Sequence, residues 1–291
     1  MKRKLLFWIV LISAILFSTL LCTAAEVSTP PAGVIQQRQS VVASRIKKRF
    51  GSFGETFVQN VKLDKSIFAL KEQRGFDYLF TPEFKEKGIR FIEDHQSVFD
   101  YVETTFKIPR TAITAAPAIE WWYEPRTVWP VGSTLFSLAV LSRSPTKRAW
   151  AEKELFIFLD LAARNPLTKE NPNGWDPLTM PGSWEGAFGL FQFIASSYKF
   201  DSMRWDGTAC VAWTALPFPD PFNPDDVICS VANYLHRAGW GTSEASHRKA
   251  VLAYNHWPSY VNAFLDYQAF LENKPRLRYR PRSTFQRAAI K

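Results

Sequence analysis

The stretch Gly182-Ser183-Trp184-Glu185-Gly186-Ala187-Phe188-Gly189-Leu190-Phe191-Gln192-Phe193, continued by Ser196-Ser197-Tyr198, decides how the rest of the chain is read. Three glycines within eight residues let the backbone come close to a ligand. Ser183 and Gln192 set hydrogen-bonding groups beside aromatic rings. The same glycines would equally serve a close contact between two helices. The flanks are irregular: residues 165–183 are rich in Pro, Gly and Asn, and residues 201–224 show no regular pattern.

Beyond those flanks the pattern is helical. Phe76, Phe80, Phe84, Ile89, Ile92, Phe99, Val102 and Phe106 recur at spacings of mostly three to five, as amphipathic helices require. Pro109 is placed to open a further helix that carries Ala112, Ile113, Ala116 and Ile119 towards Glu120. Pro125 and Pro130 then force a loop. Helices are expected at 134–141, 149–163, 225–238, 246–254 and 259–272. The third starts on Asp225 and Asp226 and stops at Gly239. No run of alternating strand character and no internal repeat is present, so the fold class is mainly α.

Over 291 residues, 46% hydrophobic and 15% aromatic content supports a substantial core and excludes global disorder. Rings in this number suit plain core packing, and they also suit sugars, whose apolar faces stack on them. Lys2, Arg3 and Lys4, the apolar residues 5–22 and Thr23-Ala24-Ala25 read as an export signal, residues 1–25. At 18 residues the apolar run also approaches the length of a membrane anchor. Residues 26–45 read as a linker, residues 46–272 as one domain, and residues 273–291 as a basic, disordered tail. Without its signal the chain is still basic, at +6. That balance suits an anionic envelope polymer, and an export signal speaks against nucleic acid. Cys210 and Cys229 could pair in an oxidising compartment; no His/Cys spacing suggests a metal site.

Glu120 lies between Ala115-Ala116-Pro117-Ala118-Ile119 and Trp121-Trp122-Tyr123. A carboxylate in so apolar a segment is poorly solvated, which disfavours the anion and prepares a general acid. A surface Glu, or one paired with Arg126, is the plainer reading. Two more blocks follow: Ser230-Val231-Ala232-Asn233-Tyr234-Leu235, and Ala253-Tyr254-Asn255-His256-Trp257-Pro258-Ser259-Tyr260-Val261. By itself Asn255 reads as a helix cap, and His256 as structural.

Taken in this order, the four blocks resemble the B-type lytic murein transglycosylases, from about Val61 to Phe270. The resemblance implies a lysozyme-like helical fold, with no cofactor and with peptidoglycan glycan strands as substrate in the periplasm. It assigns Glu120 as catalytic acid and base. Ser183 and Gln192 would hold the sugar and orient that carboxylate, Tyr234 would line the cleft, and Tyr254 and Asn255 would face the N-acetylmuramoyl unit. A catalytically dead wall-binding protein is the alternative from another class. A hydrolytic muramidase, with Glu185 or Asp206 positioning water, is the alternative within the fold.

Departures from the family pattern are Pro117, expected to kink its helix, Glu124 in place of Gly, and Ser144-Pro145 in place of an aromatic before Pro. Only 13 residues separate Trp240 from Tyr254, so the family's small β subdomain is expected to be missing. Its acidic calcium loop is reduced to Asp206-Gly207, with Asp226 as one late ligand, so no metal is expected. A Cys210–Cys229 bridge would staple that region instead.

Overall fold

The computed structural model describes residues 30–69, 75–120, 128–169, 171–172, 174–212 and 217–274. The export signal, Trp121 to Thr127 with Glu124 and Arg126, and the tail from residue 275 lie outside the described residues.

The described chain is helical with two small strand pairs. Its helices are α1 (Ala32–Asn60), α2 (Pro82–Asp94), α3 (Gln96–Phe106), α4 (Arg110–Glu120), α5 (Val131–Leu141), α6 (Pro145–Arg164), α7 (Ala195–Asp201), α8 (Pro224–Arg237), α9 (Glu244–Tyr254) and α10 (Pro258–Leu271). Strands β1 (Trp129–Pro130) and β2 (Pro181–Gly182) pair antiparallel, as do β3 (Met203–Trp205) and β4 (Cys210–Ala212). From Gly241 to Ala253 the chain is a turn followed directly by α9, so no β subdomain intervenes there.

Local sequence explains the helix starts. Thr81-Pro82, Ser144-Pro145 and Asn223-Pro224 each put a capping side chain before a proline in the first turn; the caps bond the amides of Phe84, Lys147 and Asp225. This moves the start of α6 to Pro145, four residues before the point at which its apolar spacing becomes legible. Gly239 adopts φ +89° behind α8, with Trp240 N–H bonding the Leu235 carbonyl, which closes that helix.

The linker expected over 26–45 needs correction: from Ala32 onward it is the first part of α1. Val42 and Ile46 are buried, and α1 packs on α5 and α6. Polar residues had masked an amphipathic face of long period, and a kink at Gly51 (φ +55°) bends the helix.

Helix α4 is the centre of the fold. Every residue from Ala112 to Ile119 is buried, and α2, α3, α8 and α10 pack round it. Its alanines allow these neighbours to come close. Pro117 removes one backbone donor, yet the helix runs through it from Arg110 to Glu120. Among the described residues the core joins α4 to Phe99, Phe136, Phe158, Phe188 and Phe264, each almost wholly buried.

One face of α8 clamps the β3–β4 hairpin. The Asp226 carboxylate accepts from the amides of Trp205 and Asp220, both at 2.7 Å. Ser230 Oγ accepts from Met203 N–H at 2.9 Å, and Asn233 donates to the Asp201 carbonyl at 3.0 Å. Cys229, on the same face, is bonded to Cys210 at the start of β4, with Cα atoms 5.5 Å apart. The bridge spans 19 residues, for which the chain-entropy contribution is about 3 kcal/mol. Protein without residues 1–25, in which Cys210 and Cys229 are the remaining cysteines, should therefore show no free thiol when isolated under oxidising conditions and denatured without reductant. Cys210→Ser/Cys229→Ser should melt several degrees lower, as read by circular dichroism.

Candidate active site

Glu120 is the last residue of α4. The helix delivers it from the core to its half-buried end, where the carbonyl pole of the helix disfavours negative charge. Tyrosines surround it. Tyr78 donates to the Ile119 carbonyl at 3.3 Å. Burial pushes the hydroxyls of Tyr254 and Tyr260 well above the usual phenol range, and the Glu120 charge raises both further. The Tyr260 hydroxyl is buried where the Glu120 carboxylate bears on it.

A second wall comes from the glycine block. It is a folded loop and not the helix contact its glycines also allowed. Phe188 and Phe193 exchange backbone hydrogen bonds at 2.9 and 3.1 Å, and Gly182 bridges to Phe188. Gly189 has φ +76°, and a Cβ there would stand 2.5 Å from the Pro221 carbonyl oxygen. Only glycine meets both demands. The loop is tied to the tyrosines: Tyr254 donates to the Phe191 carbonyl at 2.6 Å, and the Phe193 ring lies 5.7 Å from both Tyr234 and Tyr254. Tyr234 and Tyr254 meet edge to face at 5.1 Å, and Tyr234 donates to the Ala253 carbonyl.

The other acids suggested for the site have different work. Glu185 is paired with Lys147. Asp206 accepts from Thr208 N–H, Thr208 Oγ1 and Ala209 N–H, and the two amides hold its carboxyl below the usual range. Both oxygens of Asp226 bond backbone amides, while burial raises its pKa. Among the described residues no group of three His, Cys, Asp or Glu is arranged to hold a metal ion. An open groove of about 380 Å³, lined by Asn60, Lys62, Asp64, Pro130 and Ser133 among others, includes none of the expected site residues.

Among the described residues, Glu120 ends a buried helix beside Tyr254 and Tyr260, and Tyr254 is bonded in turn to the glycine loop. A profile described as the transglycosylase SLT domain matches residues 55–268. The chain belongs to this family. The membrane-bound lytic murein transglycosylase B of Escherichia coli (strain K12) is 30% identical over 189 residues, covering 63% of this chain and 45% of that protein. The chain thus spans less than half the length of that relative. The soluble lytic transglycosylase SltB1 from Pseudomonas aeruginosa has the same fold, with TM-score 0.65 and 19% identity over 81% of this chain and 98% of that one. SltB3 from the same organism, solved with NAG-NAM-pentapeptide, aligns with TM-score 0.63 and 16% identity over 85% and 81%. The mainly α, lysozyme-like architecture is therefore that of solved lytic transglycosylases.

In this SLT-domain chain the expected site residues divide in two. Glu120, Tyr234 and Tyr254 come together through the contacts above. Ser183 and Gln192 hold their own loop and make no bond to Glu120. Ser183 Oγ accepts from Glu185 and Ala187 N–H, leaving its proton unassigned. Gln192 sits at φ +52° with its amide on the Gly189 carbonyl, a rare backbone state for a non-glycine residue. Asn255 accepts from Trp257 N–H at 3.1 Å, and its own amide donors have no bond among the described residues. Tyr78 and Tyr260 were not singled out in the sequence. They stood among many aromatics, and only the fold distinguishes a ring beside Glu120 from a core ring.

Burial, and then the Asp201 charge, pushes Tyr234 up to about 12. An acid with a raised folded-state pKa keeps a proton that the unfolded chain loses near pH ~10. The stability contributed by these neutral phenols is whole below about pH 10 and is lost as the pH climbs from there towards about 12. Urea midpoints should fall across that window. Tyrosinate absorbance should report the partial signal of exposed tyrosines first, and the buried ones only with unfolding.

Proposed function

We propose that this chain is a lytic murein transglycosylase, cleaving the bond between N-acetylmuramic acid and N-acetylglucosamine in peptidoglycan. The observation that carries the reading is the placement of the acids: among the described residues Glu120 is the one set beside Tyr254 and Tyr260, while Glu185 and Asp206 are engaged elsewhere. Ordinary glycosidases need two carboxyl groups, one of them to activate water or attack the sugar. A single group suffices if the substrate supplies the nucleophile.

The chemistry then balances without water. Protonated Glu120 gives its proton to the glycosidic oxygen as the bond from the anomeric carbon breaks. The 2-acetamido oxygen of the muramoyl unit stabilises the cationic carbon. Glu120, now a base, takes the proton of the 6-hydroxyl, whose oxygen closes on that carbon. The product carries a 1,6-anhydro end, and Glu120 is protonated again. Half-buried Tyr234 offers a face for a sugar ring, and the Asn255 amide and Ser183 hydroxyl offer donors. The hydrolytic alternative would need Glu185 or Asp206 released from its present bonds. The export signal and basic charge support a place in the cell envelope, with residues 5–22 available as an anchor.

Digestion of purified sacculi with mass spectrometry tests the reading. Anhydro ends, lighter than reducing ends by one water, are expected; reducing ends would favour the muramidase. Glu120→Gln should remove turnover and leave sacculus binding and melting temperature unchanged. Activity retained within about tenfold would exclude Glu120 as the acid and base. Ser183→Ala and Asn255→Ala should each slow turnover, by roughly 10- to 1000-fold, if they orient the sugar.

A further inference from the structure

Far from Glu120 in sequence, two arginines converge on one carbonyl. Arg38, in the second turn of α1, donates through Nη1 to the Val140 and Ser142 carbonyls at 3.3 and 3.2 Å. Arg148, in the first turn of α6, donates through Nη1 to the Ser142 and Arg143 carbonyls at 3.0 and 2.8 Å. These carbonyls form the C-terminal end of α5, where one cation is ordinarily enough to cap the helix. Two cations there repel: burial and then the Arg38 charge lower the Arg148 pKa.

Neither guanidinium meets a carboxylate among the described residues, although the same two helices carry the Arg45–Glu152 pair further along. Among the described residues each arginine spends only Nη1 on the protein. The Nη2 and Nε donors of both remain, in the planar fork that suits phosphate oxygens. The hydroxyl of Ser142, whose carbonyl both arginines share, is buried and has no partner. Fixed forks that meet no carboxylate among the described residues are a built arrangement for an anion.

We propose that Arg38 and Arg148 form a binding site for a phosphate group, with the head group of an anionic phospholipid as its source. The sequence supports that source. Arg38 follows the apolar residues 5–22 by 16 positions. The ten steps from Cys22 to Ala32 reach at most about 35 Å even when extended. A chain inserted through its apolar segment would hold the first turns of α1 near the lipid phosphates. The site would fix which side of the domain faces the membrane, independently of catalysis.

The full chain in neutral detergent can be titrated with inorganic phosphate, and with mixed micelles of phosphatidylglycerol or of phosphatidylcholine, against chloride at equal ionic strength. Melting temperature and phosphorus-31 line width are the readouts. Phosphatidylglycerol should raise the melting temperature and broaden its own resonance. Arg38→Gln/Arg148→Gln should weaken this by about tenfold in half-saturating concentration. Lys47→Gln/Lys48→Gln, which removes the same charge from α1, should change it less than about twofold. A response to inorganic phosphate without one to the lipid would keep the site and overturn the lipid source. No response beyond chloride in the unaltered chain, or an equal loss in both double variants, would overturn the site. If the glutamine pair fails to fold, Arg38→Lys/Arg148→Lys carries the comparison: it keeps the charge, loses the fork, and should bind more weakly than the parent.

Discussion

On the proposed function, one carboxylate serves as both acid and base, and it has to be held where its charge is unwelcome but not forbidden. The fold meets this constraint with a helix. Helix α4 is buried along its length, and Glu120 is the first point at which it leaves the core. Solvent is thinned by Tyr254 and Tyr260, and the carbonyl end of the helix opposes the anion. If α4 were displaced, the acid would be misplaced with it. The helices round α4 therefore bear on the chemistry as much as on stability.

Much of this was legible in the chain. The apolar run up to Glu120, the Asp-rich start of α8, Gly239 behind it and the glycine block all act through local rules that operate before tertiary contacts exist. The start of α6 was misjudged, because Ser144-Pro145 is a capping signal and not part of an apolar period. Helix α1 was missed over 32–43, where Gln, Arg and Ser interrupt the pattern and only packing on α5 and α6 supplies the reason to be helical. Tyr78 and Tyr260 stayed hidden for a different reason. Their chemistry depends on distance from Glu120, and sequence spacing does not carry distance across the intervening helices.

Several acidic residues in this protein are backbone clamps. Glu154, buried on α6, accepts the Ser196 amide at the first turn of α7. Asp226 holds two segments against α8, and Asp206 closes the β3–β4 turn. Buried carboxylates that accept amide hydrogens are costly to remove but poor at exchanging protons, since their oxygens are already committed. Counting acids near a cleft would therefore have mistaken scaffolding for chemistry. The hydrogen-bond inventory separates the two.

The bond from the Tyr254 hydroxyl to the Phe191 carbonyl joins residues 63 apart in sequence. It fastens the end of α9 to the glycine loop before any ligand arrives. If, as proposed, a sugar chain settles between them, little conformational freedom remains to be lost, so less of the contact energy is consumed in ordering the protein. Encounter should be limited by finding the right orientation and not by a slow rearrangement of the rim. If the proposed substrate, an insoluble polymer whose strands cannot diffuse to the protein, is the ligand, a rim that is ready on first contact converts more collisions into complexes.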